Sequence, residues 1–413
     1  MCPSARGRIT GAPLRILSIF GTRPEAIKMA PLVQAIQGEP SLTSLVCVTG
    51  QHREMLDQVL RLFDLQPDFD LGLMAHNQGL NRLAGGAMAA LDAVLEEVRP
   101  DRILVHGDTT TAMAAALAGF HRRIPVGHVE AGLRTYDLAQ PFPEEMNRRV
   151  VDLASDLLFA PTPGSRVNLM AERLDGRIVV TGNTVIDALR AVQARLDADP
   201  TLRDALDAEM PAFDPSRRIL LVTGHRRENF GGGFRAICEA LADIAGRPDV
   251  EIVYPVHLNP NVKGPVTDAL AGRPNVHLLP PLDYLPFQRM MQRAHVVLTD
   301  SGGVQEEAPA LGKPVLVMRE VTERPEAVEA GTVQLVGTGR AAIVGAVSRL
   351  FDDPDAYAAY AGRINPYGDG HACRRIIDCI CGRPVQEFVP LPSPPAASVH
   401  RRPAGLDAMY MSD

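Results

Sequence analysis

Short apolar segments separated by helix-length stretches recur along the chain. Several of these segments are continuously apolar rather than alternating, which indicates strands covered on both faces of a sheet. The repeated strand–helix–strand order predicts parallel sheets with right-handed crossovers. We predict a first series of strands at 14–20, 45–49, 102–106, 125–129 and 177–181, and a second at 218–223, 251–257, 276–279, 295–299, 314–318 and 332–336.

The two series of strands predict two domains. Residues 191–217 between them begin as a helix and continue as MPAFDPSRR, a proline- and charge-rich segment typical of a linker. The expected fold is α/β, with two Rossmann-like domains that face each other across a cleft. We expect the first domain at 14–190, completed by C-terminal helices at 356–381, and the second at 200–355.

Length and composition place the chain among globular proteins. With 413 residues it exceeds the usual size of a single core, and it is 46% hydrophobic and 22% charged. No apolar run approaches the roughly 18–20 residues that span a bilayer, and residues 1–13 lack the apolar region of a secretory signal. We therefore expect a cytoplasmic protein without a membrane partner, with flexible tails at 1–13 and at the proline-rich 382–413.

The charge balance argues against a nucleic-acid partner, because the net charge is −7. An anionic ligand would need a few placed cations or helix N-termini. The six cysteines do not form a disulfide framework, and the C-x5-C-x-C spacing at 373–381 matches no zinc pattern. We expect no metal.

The first predicted strand ends in GTRPEAIK, which leads into a helix. Arg23 and Lys28 lie near the helix N-terminus, where a phosphate is favoured. Gly21, Pro24 and Glu25 would equally suit a well-capped connection without a ligand.

Two successive strands end in carboxylates. Asp108 follows the strand at 102–106 and Glu130 the strand at 125–129. Neighbouring parallel strands would place them side by side, and paired carboxylates can carry out acid/base chemistry. Asp108 could instead be only the N-cap of the following helix. By spacing alone, Glu144 and Arg148 are an ordinary i,i+4 pair.

The second half carries two polar segments directly after strands. TGHRRENFGGG contains His225, which can titrate near neutrality, beside arginines and glycines that can face phosphate. TDSGGVQEEA presents Ser301, Gly302 and Gly303 at a helix N-terminus suited to a diphosphate, although a plain strand–helix junction is the alternative. Glu307 lies one turn inside that helix, within reach of a ribose diol. Arg324 offers a further phosphate or carboxylate partner.

A possible dinucleotide fingerprint occurs at 337–342, where GTGRAA follows a strand. The acidic residues that follow, Asp352 and Asp353, lie in a proline-broken turn rather than at the end of a second strand. We therefore expect no NAD and no other cofactor.

Eight ordered segments together resemble one family: GTRPEAIKMAPL, TGQHREML, HGDTTTA, HVEAGLRT, PFPEEMNR, TGHRRENFG, PVHLNPNV and DSGGVQEEA. They closely resemble the non-hydrolysing UDP-N-acetylglucosamine 2-epimerases, from about residue 14 to 380. The resemblance implies the glycosyltransferase-B arrangement, a homodimer, and reversible conversion of UDP-N-acetylglucosamine to UDP-N-acetylmannosamine without nicotinamide. The expected route is elimination of UDP to 2-acetamidoglucal, followed by re-addition from the other face.

The same resemblance implies the functional residues. The implied catalytic set is Asp108, Glu130, Glu144, His225, Lys28 and Arg148. The implied substrate-binding set is Arg23, Lys28, Asp108, Glu130, His225, Leu282, Phe287, Ser301, Gly302, Gly303, Glu307 and Arg324. Phe287 would flank uracil, whereas Leu282 departs from the polar residue expected there.

A second UDP-N-acetylglucosamine activates bacterial members of this family. The residues that would bind it here are Gln51, Arg226 and His257. Glu54 stands where some members carry glutamine.

Three other functions remain open at the level of sequence. A glycosyltransferase could use the same scaffold, since function resides in the site rather than in the fold. A hydrolysing epimerase would release free N-acetylmannosamine if water reached the intermediate. A non-catalytic sugar-nucleotide sensor would need no cluster of carboxylates.

Overall fold

The computed structural model describes residues 12–50, 53–73, 78–226, 229–322 and 324–390. Strands and helices alternate through both halves of the chain. The first half contains β1 (Leu14–Phe20), α1 (Arg23–Gln37), β2 (Leu42–Val48), α2 (Arg53–Leu62), β3 (Phe69–Asp70), α3 (Leu80–Val98), β4 (Arg102–His106), α4 (Thr110–His121), β5 (Val126–Val129), α5 (Glu144–Ala154), β6 (Leu157–Ala160), α6 (Pro163–Ala171), β7 (Arg177–Val180) and α7 (Thr184–Ala198).

The second half begins with a further helix and then repeats the alternation. It contains α8 (Pro200–Glu209), β8 (Arg218–Thr223), α9 (Gly232–Ile244), β9 (Val250–Pro255), α10 (Pro260–Leu270), β10 (Val276–Leu279), α11 (Tyr284–Arg293), β11 (Val296–Thr299), α12 (Gly302–Ala310), β12 (Val315–Val317), α13 (Pro325–Glu329), β13 (Val333–Leu335), α14 (Arg340–Asp352), α15 (Pro354–Ala361) and α16 (Ala372–Ile380).

Each half forms one parallel sheet. Among the described residues, the first sheet has seven strands in the order β3-β2-β1-β4-β5-β6-β7, and the second has six in the order β10-β9-β8-β11-β12-β13. Both orders reverse direction at the first strand of the half, which is the doubly wound Rossmann pattern. The predicted α/β fold with two Rossmann-like domains is confirmed.

The predicted strands all occur, with ends shifted by up to three residues. Two strands of the first sheet were missed. β3 has only two residues, and β6 is a four-residue apolar run that periodicity cannot distinguish from a buried helix turn. Strand ends are set by pairing with neighbours, for example of Leu14 with Leu42 in β2, which local pattern does not reveal.

The C-terminal segment does not join the first domain as a unit. Tyr357 and Tyr360 of α15 pack on the core of the second sheet, and Tyr357 stacks on His295 with ring centroids 4.2 Å apart. Ile376 and Ile377 of α16 pack in the core of the first sheet. The expectation that 356–381 completes the first domain is therefore wrong for 356–361, and only α16 returns to it.

Residues 382–390 are also not a free tail. Phe388 is 5% exposed, and its N–H donates to the carbonyl of Val180 at the end of β7. Glu387 pairs with Arg166 of α6. The expected flexible tail is wrong for this part, while 391–413 and 1–11 lie outside the described residues. No helix within the described ranges is long and apolar enough to cross a bilayer.

Candidate functional site

Charged side chains from both halves meet between the two sheets. Lys28 of α1 donates a hydrogen bond to Glu130, which follows β5, and its ammonium lies 3.7 Å from Glu306 of α12. These side chains are only 11%, 9% and 3% exposed, respectively. Burial alone would lower the pKa of Lys28, but the two carboxylates outweigh it and the pKa is raised. Burial would likewise raise the pKa of Glu130, but Lys28 and His106 hold it well below its ordinary value. Lys28 and Glu130 therefore form a charged pair.

Glu306 makes several contacts in this cluster, including contacts with Lys28 and Asn183 of the first half. Arg324 donates from Nε to Oε1 of Glu306 at 2.7 Å. Asn183 donates from Nδ2 to Glu130 at 2.7 Å and lies 3.3 Å from Oε2 of Glu306. Asn365 donates to the carbonyl of Glu306 at 2.7 Å. One buried carboxylate of the second half thus contacts the cation that pairs with Glu130.

Sequence reasoning missed Glu306, Asn183, Asn365 and His106. Glu306 lies within the DSGGVQEEA segment, but the segment does not indicate which of two adjacent carboxylates faces the other domain. Asn183 is readable as the N-cap of α7, a role that it does fill by accepting from the N–H of Val185 at 3.0 Å. A single sequence gives no sign of its second contact.

Asp108 lies in the turn between β4 and α4, beside Glu130. The register of β4 and β5 pairs His106 with Val129, so both carboxylates emerge at the same edge of the sheet, as predicted. Thr109, not Asp108, is the N-cap of α4, because its side chain accepts from the N–H of Ala112 at 3.0 Å. The alternative of Asp108 as a helix cap is therefore wrong. Its carboxylate is available to pair with Arg148.

Arg148 does not pair with Glu144. It bonds Asp108 and lies 3.3 Å from Glu145, so the expected i,i+4 pair is wrong. Glu145 is buried, and its carboxylate accepts the N–H groups of Thr135 and Tyr136 at 3.0 and 3.1 Å, which compensates the loss of water. The side chain of Glu144, the first residue of α5, makes no hydrogen bond or ion pair with any other described residue. Of the carboxylates of Asp108, Glu144 and Glu145, only that of Glu144 has no partner among the described residues.

His225, which follows β8, contacts the buried Asp300, which follows β11. Oδ2 of Asp300 accepts the N–H groups of His225 and Arg226, both at 2.9 Å. The His225 ring stacks on His257 with centroids 5.3 Å apart. Burial, opposed by Asp300 and assisted by His257 and Arg226, lowers the pKa of His225. Of the residues expected to bind an activator, Arg226 and His257 are therefore adjacent to His225, and Gln51 lies outside the described residues.

The N-terminus of α12 is open and cationic. Ser301 is its N-cap and makes no side-chain cap hydrogen bond. The N–H groups of the first turn of α12 are therefore not bonded to the Ser301 hydroxyl. The guanidinium of Arg324 covers Gly302 so closely that an added Cβ would lie 2.5 Å from Nη1. A Cβ added at Gly303 would have no other atom within 4 Å. A helix N-terminus beside an arginine is suited to a diphosphate.

Glu307 of α12 is buried and accepts hydrogen bonds from two side chains of α11. Its Oε1 accepts from the hydroxyl of Tyr284 at 2.7 Å and from Nε2 of Gln288 at 2.8 Å. Burial raises the pKa of Glu307 to about 7. Phe287 and Leu282, beside Tyr284, pack partly buried in the core that also holds α12.

Glu25 ties the first loop to the Asp108 turn. It accepts the N–H groups of Gly21 and Thr22 at 3.0 and 2.7 Å, and the hydroxyl of Thr109 at 2.7 Å. A Cβ at Gly21 would lie 2.0 Å from Oγ1 of Thr49, so only glycine fits there. The side chain of Arg23, which follows this loop, makes no hydrogen bond or ion pair with a described residue. Within the described ranges no group of three or more His, Cys, Asp or Glu is placed to hold a metal ion.

Known proteins resemble this chain over most of its length. A family model described as UDP-N-acetylglucosamine 2-epimerase matches residues 34–381. A protein from Yersinia pestis named UDP-N-acetylglucosamine 2-epimerase is 58% identical over 369 residues, which are 89% of this chain and 98% of that protein. The crystal structure of the Neisseria meningitidis UDP-GlcNAc 2-epimerase bound to UDP-GlcNAc has a TM-score of 0.84 at 48% identity, covering 90% of this chain and 100% of that one.

A more distant archaeal structure has the same fold. The Methanocaldococcus jannaschii UDP-GlcNAc 2-epimerase in complex with UDP-GlcNAc and UDP has a TM-score of 0.75 at 31% identity, covering 89% of this chain and 100% of that one.

Proposed function

The chain belongs to the UDP-N-acetylglucosamine 2-epimerase family, and from this premise we propose that it reversibly inverts carbon 2 of UDP-N-acetylglucosamine to give UDP-N-acetylmannosamine. The observation that carries the proposal is the cluster of Lys28, Glu130, Glu306 and Arg324 between the two halves, with Asp108 beside it. A cation-rich phosphate edge and sugar-facing carboxylates meet there. Both are needed at once for the reaction.

The chemistry explains that double requirement. The C2 proton lies beside an acetamido group, not beside a carbonyl, so direct removal is very slow. Cleavage of the C1–oxygen bond to UDP makes C1 oxocarbenium-like and the C2 proton acidic. UDP leaves with the bonding electrons, C2 loses its proton, and 2-acetamidoglucal forms. Re-addition of UDP at C1 and of a proton to the opposite face of C2 gives the epimer.

The second half supplies the groups that hold UDP. The amides of Ser301, Gly302 and Gly303, with Arg324, stabilise the departing diphosphate, because they are fixed before the charge develops. Arg23 adds a cation from the first half. Glu307 accepts the ribose hydroxyls in its ionised form.

Phe287 stacks beside the uracil. Leu282, an apolar side chain in the same partly buried cluster, adds contact area but no hydrogen bond to the base.

The first half supplies the carboxylates that act on the sugar. Glu130 is held ionised by Lys28, so it is able to accept a proton. Asp108 lies at the same edge and exchanges a proton on the other face. Glu144 orients the sugar, since its carboxylate has no partner among the described residues. Arg148 keeps Asp108 in place, and His225 supports the phosphates as a hydrogen-bonding ring, because its lowered pKa favours the neutral form.

Two finer proposals concern assembly and regulation. Exposed apolar side chains on α5 and α6 support a homodimer, namely Met146, Leu153, Val167 and Met170. Sedimentation that gives a monomer at working concentration would rule the dimer out.

A second UDP-N-acetylglucosamine binds near Arg226 and His257 as an activator. Sigmoidal rate curves that become hyperbolic in Arg226→Gln test this second proposal.

The test of the proposed activity is incubation with UDP-N-acetylglucosamine in deuterated water without added NAD, followed by NMR of H2 and the anomeric signals. We expect reversible formation of the manno epimer with deuterium at C2. Net release of free N-acetylmannosamine would indicate the hydrolysing reaction. Absence of exchange without a sugar acceptor would indicate a glycosyltransferase. Absence of exchange with tight UDP-sugar binding and no transfer would indicate a sensor.

A further inference from the structure

His128 of β5 contacts hydrogen-bond acceptors with both ring nitrogens. Its Nδ1 lies 2.6 Å from Oδ1 of Asp152, and its Nε2 lies 2.8 Å from the carbonyl oxygen of Gly107. The side chains of His128 and Asp152 are 0% exposed. A carbonyl oxygen has no hydrogen to donate, so Nε2 must carry one.

The other ring nitrogen is held by Asp152, which is itself fixed by an arginine. Arg134 donates from Nη2 to Oδ2 of Asp152 at 2.7 Å, and a bidentate pair at 2.8 Å joins the same arginine to Glu172. Arg149 lies 3.4 Å from Glu172 at a more exposed position. The ring of His128 is therefore fixed at Nδ1 by a carboxyl group that is itself held in place.

The contact to Gly107 controls the turn that carries Asp108. The N–H of Gly107 donates to the carbonyl of Val129 at 3.0 Å. The backbone N–H and C=O of Gly107 therefore both bond to residues of β5. Gly107 has φ +63°, which places the chain in the left-handed region directly before Asp108. The same strand leads into Glu130. One histidine therefore fixes the position of one carboxylate relative to the other.

We infer that His128 is a positioning residue whose Nε2–H holds the Gly107 carbonyl, and with it the Asp108 carboxylate, in place beside Glu130. The inference rests on the proposed role of Asp108 in proton exchange.

The protonation state is tested on the whole protein labelled with ¹⁵N at histidine. The His128 signal is assigned among the 11 histidines by its loss in a substituted variant. We expect Nε2 of His128 to give a protonated signal at neutral pH, because it donates to the carbonyl oxygen of Gly107. A non-protonated Nε2 signal at neutral pH would overturn the inference, whatever the protein's activity.

The positioning role is tested with two uncharged substitutions that keep different hydrogen bonds. The amide nitrogen of glutamine can reach the place of Nε2, so His128→Gln keeps a donor for Gly107. The amide nitrogen of asparagine can reach only the place of Nδ1, so His128→Asn keeps a donor for Asp152. We expect His128→Asn to lower kcat at least about tenfold with a smaller change in KM, and His128→Gln to lower it clearly less.

Thermal unfolding of both variants is the control for folding. Equal kcat losses in the two variants would show that His128 only supports the core, and the positioning role would fail. Wild-type protein that exchanges no deuterium at C2 would defeat the proposed function itself, which is a different outcome from equal losses in an active enzyme.

Discussion

The ammonium of Lys28 lies 3.7 Å from the carboxylate of Glu306, although the two side chains belong to different halves of the chain. Lys28 also pairs with Glu130, and Glu306 also pairs with Arg324. Two cations that can serve a diphosphate are therefore held by carboxylates. A bound diphosphate would compete with Glu306 for both of them. We therefore expect ligand binding to be coupled to the relative position of the halves through this contact.

The Lys28–Glu130 pair should show strong energetic coupling. Lys28→Met leaves the buried Glu130 without its cation, and we expect it to lower the free energy of unfolding by about 3–5 kcal/mol. Glu130→Gln leaves the cation with Glu306 only, and should cost a similar amount as well as orders of magnitude in turnover. We expect the double variant to be destabilised by about 0.5–3 kcal/mol less than the sum of the single variants. Urea unfolding of the four proteins measures this, and strictly additive losses would contradict the pairing.

Asp108→Asn should reduce turnover without unfolding the protein. The substitution keeps the shape and an acceptor for Arg148, but it removes the group that exchanges a proton. We expect kcat to fall by about 10²–10⁴-fold, while UDP binding changes little. The matched control is Asp204→Asn, an exposed aspartate of α8 that should leave kcat unchanged. Near-wild-type turnover in Asp108→Asn would remove Asp108 from the proposed mechanism.

The stability of the protein should depend on pH through Glu307. Its folded pKa is about 7 against an ordinary value of 4.5, because burial disfavours the carboxylate. The stability that it contributes is therefore complete below about pH 4.5 and is lost as the pH rises through about 7. In Glu307→Gln this loss is absent, and Oε1 still accepts from Tyr284 and Gln288.

Thermal unfolding between about pH 5 and 8 measures this effect as the difference between Glu307→Gln and the wild type. We expect the difference to grow in favour of the variant with rising pH, by up to about 3 kcal/mol. Glu329→Gln, at an exposed carboxylate, should follow the wild type at every pH. Parallel curves for Glu307→Gln and the wild type would show that this carboxyl does not titrate in that range.

Two neighbouring glycines of α12 should respond differently to alanine. In Gly302→Ala the new Cβ would lie 2.5 Å from the Arg324 guanidinium, which must move away from Glu306. We expect a loss of about 1–3 kcal/mol in the free energy of unfolding, the cost of a broken charged hydrogen bond. Gly303→Ala meets nothing within 4 Å and should be neutral or stabilising by up to about 1 kcal/mol. Chemical denaturation of both variants distinguishes them, and equal stabilities would contradict the close approach of Arg324.

The sequence by itself determined the two sheets and the edge at which the chemistry lies. Continuous apolar runs predict buried parallel strands because a covered strand needs apolar side chains on both faces. Asp108 and Glu130 follow two such strands, so their proximity follows from local pattern and sheet geometry alone. Ser301, Gly302 and Gly303 were identified in the same way, as a polar segment at a strand–helix junction.

Only the tertiary structure decided which charges are paired and which segments belong together. Arg148 bonds Asp108, 40 residues away, instead of Glu144 in the adjacent helical turn. Glu306, rather than its neighbour Glu307, contacts Lys28. α15 remains on the second domain while α16 returns to the first. The physical reason is that strands and helices depend on the order of nearby residues. Partners of buried charges depend on which distant groups share a low-dielectric space, and that is fixed only when the two halves pack.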